Sequence, residues 1–140
     1  MHSLFSQCTI AFNGETVTPA ADYYNYLAYL ETILTYRFDA AVSHLTKCFW
    51  YLDDGDLLPF DPTAEDVKNL GFVTRWIRLN QSKEVQLYGR LHSDKCNVPR
   101  FLPPGVHLQI RLTKAKSSFY LMNKDPESKV VFKFSTRSCW

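Results

Sequence analysis

Four groups of side chains in this 140-residue chain are of the types that perform chemistry. His2, His44, His92 and His107 are the histidines, and none is two residues from another. A cupin-type metal site draws on imidazoles two apart on one strand, because that spacing aims both at the same ion; the scatter here points away from one. Asp53, Asp54 and Asp56 surround Gly55 in an acidic loop that superficially matches a calcium loop, since hard cations collect several carboxylates from one turn. The remaining spacing of an EF-hand and its distant Glu are missing, so the loop reads as a solvated acidic connection. The run Arg90-Leu91-His92-Ser93-Asp94 carries a base, an acid and a hydroxyl. On a strand, Arg90 and His92 share one face while Leu91 faces the core, which makes the run a strand-end polar cluster rather than a catalytic one. Cys8, Cys48, Cys96 and Cys139 form no C-x-x-C pair, so a zinc ribbon or thioredoxin-like motif is excluded and the cysteines read as free thiols. There is no phosphate loop, no G-x-G-x-x-G and no G-x-S-x-G elbow. The residues therefore nominate no catalytic, cofactor-binding or metal-binding set, and the chain reads as a non-enzyme.

The elements that would position these groups follow from periodicity. Leu4, Ser6, Cys8, Ile10 and Phe12 alternate with Phe5, Gln7, Thr9 and Ala11, and Asn13-Gly14 separates them from Thr16-Val17-Thr18. Asn-Gly between two such runs predicts a hairpin, because a type I′ turn requires positive φ at both central positions. Asp22 is placed to cap a helix in which Tyr23, Tyr26, Leu27, Leu30, Ile33 and Leu34 recur at helical spacing, with Glu31 and Thr32 left for the outer face. The stripe reads as core more readily than as a stacking platform. A second short helix over 38–48 completes a helical excursion spanning about 22–48, and the acidic loop runs over about 52–70, with one helical turn at Thr63–Asn69. Further strands are expected at Phe72–Leu79, Val85–Leu91, Val106–Leu112, Ser118–Asn123 and Val130–Ser135. That gives about seven strands with short connections. The fold class expected is mainly β: one domain over residues 1–140, an antiparallel jelly-roll β-sandwich with a helical insertion.

Composition sets the class. With 46% hydrophobic and 21% charged residues the chain has the make-up of a globular domain, and its length allows a core without disulfide staples. No apolar run is long enough to span a membrane, and the beginning, MHSLFSQCTIAF, lacks the pattern of a signal peptide, so an intracellular location is expected. The net charge of +2 hides a division. Residues 1–74 hold three basic against ten acidic side chains, net −7; residues 75–140 hold thirteen basic against four acidic, net +9. The basic half admits nucleic acid as a partner, although charges pointing out of alternating strands, or pairing with the acidic half, are the simpler reading.

The segments taken together resemble the major capsid protein of Polinton (Maverick) elements and adintoviruses, a double-jelly-roll family related to hexons. The likeness runs in order through His2-Ser3-Leu4-Phe5-Ser6-Gln7, Asn13-Gly14, Val17-Thr18-Pro19, Tyr26, Tyr29-Leu30-Glu31-Thr32 and Leu34. It continues through Ser43-His44-Leu45-Thr46, Trp50-Tyr51, Glu84-Val85, Gly89-Arg90-Leu91-His92-Ser93-Asp94, Gly105-Val106, Arg111-Leu112, Phe119 and Leu121-Met122. The resemblance implies a structural role in a virion, in which subunits form homotrimeric capsomers and have no active site. It also implies that the chain covers about one jelly roll without its opening strands. Glu31 and Arg90 become candidates for polar contacts within or between subunits. Pro103-Pro104 departs from the family pattern where a Leu-Asn-like turn is expected.

Overall fold

A computed structural model describes residues 1–18, 21–54, 61–63, 67–121 and 132–134. The elements run in the order β1 (Phe5–Phe12), β2 (Glu15–Thr16), α1 (Tyr24–Thr35), α2 (Phe38–Ala41), α3 (Leu70–Leu79), β3 (Leu108–Lys114) and α4 (Ser117–Tyr120), with single 3₁₀ turns at His2–Leu4, His44–Cys48, Asn80–Ser82 and Asp94–Cys96. Among the described residues there is one sheet, of order β2-β1-β3 and antiparallel throughout. Strand β1 pairs with β2 across the Asn13-Gly14 turn, where both residues hold positive φ as the hairpin requires. On its other side β1 pairs with β3 in a long register that includes Phe12↔Leu108, Ile10↔Ile110 and Cys8↔Leu112.

The jelly-roll expectation is overturned. Helical turns take 39% of the described residues and strand 15%, and the three strands form one open sheet rather than two packed ones. The reasons are local. Phe72, Val73, Trp76 and Ile77 are spaced as one side of a helix, and Asn69 caps it by accepting the Phe72 backbone N–H at 2.9 Å, so Phe72–Leu79 is α3 and not a strand. Along 85–91 the odd-numbered residues are half-buried and Gln86, Tyr88 and Arg90 exposed, but the segment forms no ladder; the Tyr88 N–H donates instead to the Lys47 carbonyl. Alternation reports which side of an extended chain meets protein, not whether its backbone is paired. The strand expected from Ser118 begins instead within the turn α4; Met122 and Asn123 lie outside the described residues, as do Val130, Val131 and Ser135 of the last expected strand. The helical turn expected at Thr63–Asn69 falls partly outside them as well; Asp61 Oδ1 accepts from both the backbone N–H and the hydroxyl of Thr63.

The hairpin, the helix after it and the strand near 106–112 stand as β1–β2, α1 and β3. Asp22 does not cap α1, whose first residue follows Tyr23 with no side-chain cap bond. The orientation of α1 is the reverse of the one expected. It buries Tyr24, Asn25, Ala28 and Thr32 and half-buries Glu31, while Tyr23, Tyr26, Leu27, Tyr29, Leu30, Ile33 and Leu34 face outward. The core against the sheet is small: Cys8, Ile10 and Tyr24, flanked by Phe5, Phe12, Val17 and Leu91. Among the described residues Ile10 alone of the larger side chains is fully enclosed. Replacing Ile10 by Ala is expected to cost about 2–5 kcal/mol and Ile10 by Val about 0.5–1.5 kcal/mol. Urea unfolding followed by far-UV circular dichroism checks both.

Candidate functional site

The inward side of α1 carries the one extended polar network of the described residues. Tyr24, at the first turn of the helix, places its hydroxyl 3.1 Å from His2 Nδ1 and 3.4 Å from the backbone N–H of His92. The backbone N–H can only donate, so the hydroxyl accepts from His92, while the direction of its bond to His2 follows the imidazole tautomer. Two turns along, Glu31 Oε2 lies 2.8 Å from His92 Nδ1, and Glu31 Oε1 accepts from the Asn97 amide at 3.3 Å. A carboxylate is an acceptor, so His92 carries its proton on Nδ1. The Asn97 carbonyl oxygen in turn accepts from the Arg90 guanidinium. The His2 and His92 rings meet edge to face, 4.6 Å between centroids.

The chain at Gly89 makes room for this arrangement. A Cβ there would stand 2.8 Å from Met1 Cε and 3.2 Å from His2 Nε2, so a side chain at position 89 would make the first two residues give way. The Met1 ammonium donates to the Cys48 carbonyl at 2.7 Å, which fixes His2 from the other side.

Burial tunes the groups away from reactivity. It pushes His2 down to about 3, assisted by the neighbouring His92 and the terminal ammonium, so the imidazole is neutral at ordinary pH. Burial also raises the Tyr24 hydroxyl to about 12 and lifts the Cys8 thiol, so neither is poised as a base or nucleophile. A Glu–His–Tyr grouping has the members of an acid–base relay. Here His92 and Tyr24 are buried and each hydrogen bond identified ends on another group of the same chain. The arrangement holds α1, the first two residues and the 89–97 segment together.

The sequence-nominated residues fall as follows. Glu31 and Arg90 do make polar contacts, and both are within the chain, through Asn97. His92 joins them, and with it the Arg90–Asp94 run finds its place. His44 is exposed against Tyr36, and the backbone of His107 closes the hairpin end by bonding Asn13 in both directions. Asp53 pairs with Arg75, a contact between the acidic and basic halves, while Asp56 and Cys139 lie outside the described residues. Among the described residues no group of three His, Cys, Asp or Glu side chains is placed to hold a metal ion. A cleft of about 320 Å³ lined by Ala41, Val42, Tyr51, Leu52, Leu70 and Gly71 offers neither carboxylate, imidazole nor amine. Sequence reasoning missed Tyr24 and Asn97, and it named His2 without its partners. The available signal was Glu31: a carboxylate beside Thr32, with Asn25 two turns earlier, in a mostly apolar and aromatic helix marks a side with its own partners.

Two measurements test the network. Removing the Glu31 carboxylate strands the His92 N–H and the Asn97 amide, so Glu31→Ala is expected to cost about 1–3 kcal/mol, with Glu31→Gln recovering part of it. His2 takes up protons in the unfolded chain below about pH 6.5 but in the folded one only near 3. The unfolded state therefore binds more protons between these values, and stability is lost as pH falls through that window, by at most about 1.4 kcal/mol per pH unit. His2→Asn is expected to flatten the fall; equal slopes for the two proteins in denaturant titrations from pH 7 to 4 would show that His2 is not responsible.

Comparison with protein-family models, with curated proteins and with solved structures finds no match to this chain. Among the described residues no helix is long and apolar enough to cross a membrane.

Proposed function

We propose that this chain is a non-enzymatic structural subunit whose work is to pack against neighbouring protein, the role implied by its resemblance to capsid proteins. The observation that carries the reading is the outward stripe of α1. Tyr23, Leu27, Leu30 and Leu34 follow one another at spacings of four, three and four residues, and Leu30 and Leu34 are 51% and 82% exposed. Spacing of this kind is that of a helix seam that receives another surface. Phe101, Leu102 and Ile77 add further exposed apolar side chains. Contiguous apolar surface beyond a few hundred Å² is rare on proteins that act alone and marks interaction surfaces. The chemistry of the polar network supports the same reading, since its acids and bases serve internal bonds.

Sedimentation velocity of the full chain is expected to show multimers across the micromolar range. Leu27→Lys with Leu34→Lys is expected to shift them to smaller species, with the unfolding midpoint nearly unchanged because both positions are exposed. A wild-type chain that sediments as a monomer throughout overturns the reading.

A further inference from the structure

Strand β3 has a paired side and an unpaired one, and the hydrogen bonds say which residues face each. The carbonyl of His107 accepts from Asn13, the carbonyl of Thr113 lies toward the Ser6 hydroxyl, and the N–H of Ala115 donates to Leu4. Odd-numbered residues therefore turn their backbone groups to β1. Those of Leu108, Ile110 and Leu112 point the other way, since backbone direction alternates along an antiparallel strand. In the order β2-β1-β3 this is the edge of the described sheet. All seven residues of β3 are exposed. The stretch Phe132–Phe134 is held near the Lys114 end of the strand, through the Lys114 ammonium on the Phe132 carbonyl and Phe134 stacked on Phe5. The side chains of Leu108, Ile110 and Leu112 lie on the same face as their partners Phe12, Ile10 and Cys8, and so continue the core face beyond its own cover.

We propose that this edge pairs with the β3 edge of a second copy of the chain, antiparallel and centred on Ile110, to make one continuous six-stranded sheet. The proposal deepens the structural-subunit reading and rests on it. A two-fold pairing must be self-complementary, so the register decides whether it works. Centred on Ile110, Leu108 meets Leu112, Ile110 meets Ile110, Gln109 meets Arg111 and Val106 meets Lys114. The apolar row of one copy continues into that of the other, and no like charges oppose. Centred one residue later, Arg111 would face Arg111, which is unfavourable. Shifting by half a pair is excluded because it would set outward backbone groups against inward ones. At the far edge β2 resists further pairing. Strand β2 has two residues, one of them Glu15, and short charged edges resist pairing. The contact, being two-fold, uses up the β3 edge of both copies and closes as a pair.

Cysteine cross-linking in the full chain, with Cys96 and Cys139 replaced by Ser, reads the register directly. Residues 109 and 111 of opposite copies would face each other as a non-hydrogen-bonded pair with Cα atoms about 4.5 Å apart, within disulfide reach. Mixing Gln109→Cys chains with Arg111→Cys chains under mild oxidation is expected to give at least tenfold more covalent dimer than either variant alone. Equal or faster cross-linking of Arg111→Cys alone, or no dimer in the mixture, overturns the pairing. If the mixture fails while the chain still sediments as a multimer, the pairing falls and the structural-subunit reading stands. If the chain is monomeric and no cross-link forms, both fall.

Discussion

Glu31 is the constraint on which the arrangement of α1 depends. A carboxylate in a partly buried position must keep acceptor bonds filled or lose more free energy than a packed leucine returns. His92 and Asn97 fill them, and in doing so they fix the rotation of the helix about its axis. With Glu31 and Tyr24 turned inward, helical geometry leaves Tyr23, Leu27, Leu30 and Leu34 turned outward. The same contact holds residues 89–97 against the helix, and that segment leaves the space at Gly89 into which Met1 and His2 fit. The internal polar bonds and the external apolar stripe are thus two sides of one choice.

The energetic consequence concerns where the hydrophobic surface is spent. At about 25 cal/mol per Å² the outward residues of α1 and β3 hold several kcal/mol that folding of the single chain does not use. The cluster enclosed against the sheet is small, built around Cys8, Ile10 and Tyr24. Such a distribution suits a protein whose final stability comes from its neighbours. It also explains why the acid–base side chains, though grouped, are set for cohesion: the low value of His2 and the high value of Tyr24 both follow from enclosure.

What the sequence made legible was local. The Asn13-Gly14 hairpin, the periodic helix and the alternating strand near residue 110 each follow from short-range rules and appear as β1–β2, α1 and β3. The sandwich did not follow, because alternation along Val85–Leu91 marks a buried side without a ladder, and the short apolar run at Phe72–Leu79 fits a helix as well as a strand until Asn69 decides it. The candidate site was half legible. Glu31, Arg90 and His92 were in view, while their meeting depends on contacts across some sixty residues that periodicity does not carry.

The pairing of β1 with β3 has a consequence for how the chain acquires its shape. Residues 5–12 must wait for residues 108–114 before their long ladder can form. A nascent chain leaving the ribosome at about 5–20 residues per second therefore carries β1 without its ladder partner until residues 108–114 have emerged. Sheet formation of this kind closes a large loop and is slow for that reason. The order of synthesis thus leaves one side of β1 unpaired, and open to misassembly, until β3 appears.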